Sequence, residues 1–110
     1  MEPDVTVTVT EVNGKRKIHC HPHHVKVTEQ DTTLTFALAT DGYVFPPNCA
    51  VVVHHPGTQF PNAPVTEPDG KTVNLYDVCT EIGDFNYTVF VVNESGTERL
   101  SEDPSIQNEP

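Results

Sequence analysis

Val5, Val7 and Val9 alternate with Thr6, Thr8 and Thr10, a period of two that turns one set of side chains to a core and the other to water. The preference runs through the whole chain, with sixteen Val and fourteen Thr among 110 residues against eight Ala and Leu together. β-branched side chains are stiff in helices and fit a pleated, half-buried surface. Ten prolines and six glycines interrupt what remains, and a proline inside a helix removes a backbone hydrogen bond and clashes with the preceding turn. An all-β chain is expected, and its length suits one domain.

The strands can be placed from parity and punctuation. Glu11 and Val12 break the opening alternation, which predicts a bulge or a strand end there. Asn13-Gly14 is a two-residue hairpin signal, because both residues accept positive φ. Lys15 to His21 is the returning strand, and Pro22 stops it. Val25 and Val27 share a face, as do Leu34, Phe36 and Leu38 after the polar turn Glu29-Gln30-Asp31. Tyr43 to Phe45 resume the chain after Asp41-Gly42, and Ala50 to Val53 form a short apolar run expected to be buried on both faces. Four prolines between Pro56 and Gly70 predict a long irregular connection. Lys71 to Val78 and Asp84 to Val92 follow as strands; Phe85, Tyr87, Val89 and Val91 face one way and Phe90 and Val92 the other, so the second strand is central. Thr97 to Leu100 is a last short strand. The pattern predicts a two-sheet Greek-key sandwich of about seven to nine strands over residues 1–100. Residues 101–110 form an acidic tail with only Ile106 to bury, poorly ordered unless docked.

Sixteen Asp and Glu against six Lys and Arg leave a formal charge of −10. Phosphate backbones and anionic membrane surfaces would be repelled, so neither nucleic acid nor membrane is an expected partner. No apolar run approaches the roughly 20 residues of a membrane span, and the start MEPDVTV lacks a positive, apolar leader. Cys20, Cys49 and Cys79 are odd in number and form no Cys-x-x-Cys pair, which suits a reducing, cytoplasmic location.

Two stretches resemble the cupredoxin pattern. Pro22, Val25-Lys26-Val27, Gln30-Asp31-Thr32 and Leu34-Thr35-Phe36 follow the order of its early strands, and Gly83-Asp84-Phe85-Asn86-Tyr87 is similar to the segment entering its copper-cysteine strand. The segment Glu81 to Phe85 also resembles the tyrosine-corner strand of immunoglobulin-like domains, with Phe85 at the corner. Where the cupredoxin pattern has its first His, this chain has Gly42-Tyr43-Val44; where it has Cys, the chain has Val89, and Val92 to Thr97 hold neither His nor Met. The resemblance therefore implies a cupredoxin-like sandwich without the blue-copper site. Asp103-Pro104 and Glu109-Pro110, on a short acidic β-protein, resemble the DP-EP family of small bacterial proteins. That resemblance implies a cupredoxin-like or immunoglobulin-like sandwich and no assigned activity.

All six histidines fall in two clusters, His19-Cys20-His21-Pro22-His23-His24 and His54-His55. His-x-His on a strand puts two imidazoles on one face, and His19 and His21 with one of His54 or His55 would make a three-ligand site for Zn²⁺, Cu²⁺ or Ni²⁺ if the segments converge. Protonation of the clusters near pH 6.5 is a second use of them. Enzymatic constellations find little support. Ser95, Ser101 and Ser105 lie in the last turn and tail, away from a scaffolded triad, while Cys20 points away from its flanking histidines. Cys49 or Cys79 with His54 or His55 stays open. For a sugar ligand, Tyr43 in a loop is the best exposed aromatic. Val5 to Thr10, near a terminus, is a candidate edge strand for strand addition or homodimerisation. The expected function is a small non-enzymatic binding or interaction module, with metal binding through His19–His24 and His54 or His55 as the alternative.

Overall fold

The computed structural model describes residues 3–110, with no helix among them; Met1 and Glu2 of the MEPDVTV start lie outside the described residues. The strands are β1 (Val5–Val12), β2 (Lys15–His21), β3 (His24–Val27), β4 (Thr32–Leu38), β5 (Tyr43–Val44), β6 (Val51–Val53), β7 (Val65–Thr66), β8 (Thr72–Asp77), β9 (Gly83–Asn93), β10 (Arg99–Glu102) and β11 (Ser105–Asn108). They make two mixed sheets packed as an all-β sandwich. The first runs β2-β1-β4-β8-β7. The second is built on β9, which carries β10 and β11 along one side and β5 and β6 along the other, with β3 outside β11.

Eleven segments exceed the expected seven to nine for local reasons. β5 and β7 are two residues each. β10 and β11 pair with β9 in one unbroken register, Arg99↔Val92 through Asn108↔Gly83. They are divided only at Asp103-Pro104, where proline has no N–H for a ladder; its carbonyl still accepts from the Tyr87 N–H at 3.0 Å.

Parity decides the core. Val5 and Val7 of β1, Ile18 and Cys20 of β2, and Leu34, Phe36 and Leu38 of β4 are buried from one sheet. They meet Val25 and Val27 of β3, Tyr87, Val89 and Val91 of β9, and Ile106 of β11 from the other. Phe36 and Tyr87 touch edge to face between the sheets, with centroids 5.6 Å apart. The central placement of β9 agrees with its two apolar faces, and on the outer one Arg99 stacks over the Phe90 ring at 4.2 Å.

Several expectations are corrected. β1 is not an edge along Val5–Val7, where it sits between β2 and β4 and pairs in parallel with β4 from Val5↔Phe36 to Val7↔Leu38; beyond Val7 its ladder partner among the described residues is β2. Of the two alternatives at Glu11-Val12, the strand end is the one that occurs: β1 ends at Val12, the hairpin register runs evenly to Val12↔Lys15, and Val12 is 54% exposed. The turn is as expected, with Asn13 at φ 53° and Gly14 at φ 77°. The run ending in β6 is not buried on both faces, since Val52 is 42% exposed. The tail is docked: residues 101–110 include the end of β10 and all of β11, and Ile106 is fully buried between β9 and β3. A division into a 1–100 domain and a separate tail does not describe this chain. The stop at Pro22 marks the crossing from the first sheet to the second, across a cis His21–Pro22 bond.

Candidate functional site

His19 and His21 alternate with the buried Ile18 and Cys20, so their rings lie on the outer face of the first sheet. The rings stack at 6.3 Å with an interplanar angle of 27°, and His19 Nε2 is 2.9 Å from Thr10 Oγ1. The His-x-His geometry is therefore as expected for one strand.

His54 follows β6 in the second sheet. Its Nε2 lies 2.6 Å from Thr88 Oγ1, and that hydroxyl donates to Asp103 Oδ1 at 2.6 Å. Thr88 alternates with buried Tyr87 and Val89, which places this row on the outer face of the second sheet. The His19–His21 pair and His54 thus occupy outer faces on opposite sides of the sandwich, while His24, on β3, belongs to the second sheet. The three-ligand site of His19, His21 and His54 or His55 does not form, and no group of three His, Cys, Asp or Glu among the described residues is arranged to hold a metal ion. His55 is exposed. His23 approaches Glu102 at 3.5 Å, and His24 Nδ1 contacts Ser105 Oγ.

The His54–Thr88–Asp103 row is not a nucleophile with a base. The threonine proton is given to the carboxylate, so the hydroxyl accepts from the imidazole N–H instead of donating to it. All three thiols are free. Burial, with a smaller contribution from Glu102, pushes the Cys20 thiol up to about 12, and Cys79 Sγ–H donates to the Val27 carbonyl at 3.5 Å. Cys49 alone is exposed. Tyr43 is not a loop platform: it is buried on β5, its hydroxyl 3.4 Å from Glu98 Oε1.

A groove of about 320 Å³ runs beside β6, lined by Val51–Val53, Leu75, Pro56 and the Phe60–Pro64 segment. Its volume is within the range of small-ligand sites. Among the described residues β6 has only β9 as a hydrogen-bonded neighbour. Phe90 N–H donates to the Ala50 carbonyl and His54 N–H to the Asn86 carbonyl, so residues 50, 52 and 54 bond inward. In an antiparallel ladder the intervening residues then point their N–H and C=O groups the other way. The main chain of Val51 and Val53 faces the groove.

The far wall is held by Gln59, a buried polar side chain. Its Oε1 accepts from the N–H of Thr80 at 2.7 Å and of Glu81 at 3.2 Å. Its Nε2 donates to the hydroxyls of Thr80 at 3.0 Å and Thr58 at 3.2 Å. The Gln59 carbonyl accepts from Val78 N–H at 2.8 Å. Phe60 adds an edge-to-face contact with Phe85 at 5.0 Å. A connection read as irregular is thereby a fixed wall. Proline spacing signalled the loop; nothing in the local sequence signalled that Gln59 turns inward, because its partners other than Thr58 lie some twenty residues on.

No residue lining the groove carries a formal charge, and no helix among the described residues is long and apolar enough to cross a membrane. The sequence matches no protein-family model and no curated protein.

Proposed function

We propose that this chain is a small non-enzymatic binding module that takes an extended peptide segment along the free edge of β6. The observation that carries this is the outward main chain of Val51 and Val53 in front of a preformed, uncharged groove. Strand addition uses such groups for affinity and side-chain pockets for specificity. An extended segment pairing with β6 would place alternate apolar side chains over Phe60 and Leu75, and the net charge of −10 favours a segment poor in Asp and Glu. With each main-chain bond contributing about 0.5–1.5 kcal/mol and one buried apolar anchor about 1.5–3, a dissociation constant of roughly 10–1000 µM is expected. The Asp103-Pro104 and Glu109-Pro110 dipeptides, similar to those of the DP-EP family, accord with this proposal, since that resemblance implies a sandwich with no assigned reaction.

The test is selection from a phage-displayed heptapeptide library, followed by amide chemical-shift mapping with the synthetic winner. Shifts should concentrate at 51–53 and 56–64. Val53→Pro removes an edge N–H without removing a β9 ladder bond and should weaken binding at least tenfold in a folded protein. Shifts mapping to another face, or full binding by Val53→Pro, would refute the assignment.

A further inference from the structure

Asp77 ends β8 in the first sheet, and Asn108 ends β11 in the second. Both are 0% exposed, and they meet across the core. Asn108 Nδ2 donates to Asp77 Oδ1 at 2.9 Å, and the same oxygen accepts from the Cys79 N–H at 3.0 Å. The other two oxygens, Asp77 Oδ2 and Asn108 Oδ1, are buried without a partner among the described residues. As a carboxylate, Asp77 would set an acceptor beside an acceptor, an arrangement native interiors avoid. A single proton supplies the missing donor for both oxygens.

We propose that Asp77 is held as the neutral acid and forms an acid–amide ring with Asn108, its Oδ2–H donating to Asn108 Oδ1 while Asn108 Nδ2 donates to Asp77 Oδ1. The surroundings agree. On β8, the Tyr76 hydroxyl turns to the opposite face and donates to Asp31. Cys79, whose thiol is pushed up chiefly by burial, gives its S–H to the Val27 carbonyl on β3. Lys26 on β3 is engaged outside by Glu109 at 2.9 Å. On β4, the residue opposite Asp77 is the uncharged Thr32. No ion pair among the described residues reaches Asp77. Burial drives its carboxyl upward, against the smaller opposing effects of the Asn108 and Cys79 hydrogen bonds.

The ring is a proton-dependent clasp between the last strand and the opposite sheet. A folded-state affinity for the proton above the unfolded one gives stability that is complete below about pH 4, the unfolded value. That stability is lost as pH rises through the folded value. Ionisation would set a carboxylate against the Asn108 oxygen and loosen the end of β11.

The experiment is a carbon-detected NMR titration of the full chain from pH 3 to 9. The Asp77 carboxyl carbon should hold its protonated position while the exposed aspartates ionise, and should change only at higher pH. Titration in step with the exposed aspartates, or an ionised signal throughout, would overturn the proposal, the second outcome meaning that a buried water or cation satisfies the site. Asp77→Asn keeps the ring as an amide pair. Urea unfolding of that variant should lose the part of the pH slope above pH 4 that the wild type shows; an unchanged slope would count against the clasp. The carboxyl titration uses the wild type and does not depend on the variant folding.

Discussion

Gln59→Met leaves a side chain of similar length behind the groove wall and deletes its hydrogen bonding. Two backbone N–H groups, of Thr80 and Glu81, lose their acceptor. At about 1 kcal/mol net for each, this costs about 2 kcal/mol. The Thr58 and Thr80 hydroxyls lose a donor but lie where water can replace it, adding about 0.5 kcal/mol in total. The expected destabilisation is about 2–3 kcal/mol, or about 8–12 °C in Tm for a domain of this size. Urea denaturation measures it directly, and native-state hydrogen exchange localises it. The Thr80 and Glu81 amides should exchange faster, while the inward-paired Val52 of β6 should not. Because the wall then loosens, peptide affinity at the β6 groove should fall as well. A change below about 0.5 kcal/mol, with Thr80 and Glu81 exchange unaltered, would refute the claim that Gln59 holds the wall.

Ile106→Ala should cost about 2–4 kcal/mol in chemical denaturation, because the side chain is fully buried between β9 and β3; a loss under about 0.5 kcal/mol would fit a detached tail instead. In native buffer one thiol, Cys49, should react quickly with Ellman's reagent, and Cys20 and Cys79 only on unfolding. Zinc uptake followed by calorimetry should be weakened by His21→Ala and left unchanged by His54→Ala, because His21 and His54 lie on opposite outer faces. A synergistic loss in the double variant would mean that they share an ion after all.

Local chemistry was legible along most of the chain. The Val–Thr alternation of β1, the Asn13-Gly14 turn and the Pro22 stop need only near neighbours to act. The two apolar faces of β9 likewise show in Phe85 to Val92. The tail carried a weaker signal: Pro104, Ile106 and Asn108 are buried at alternate positions, yet one apolar residue among ten gave the period too little contrast to stand out. The histidine clusters were visible as composition, and their spacing along β2 put His19 and His21 on one face.

Which strands are edges was decided by pairing between distant segments. The first half of β1 becomes interior because β4, some thirty residues on, pairs with Val5–Val7 in parallel. β6 becomes an edge because the segment after it folds back as a proline-rich wall and not as another strand. The same long-range order keeps His54 from His21, turns Gln59 toward Thr80 and brings Asp77 to Asn108. The sequence by itself determined that this chain is β-structured, where its turns lie and which side chains face inward, because a period of two and the φ demands of Gly, Asn and Pro operate within a few residues. Only the tertiary structure decided which edge stays open and which polar groups meet in the core, because those depend on hydrogen-bond ladders and sheet packing between segments that share no local pattern.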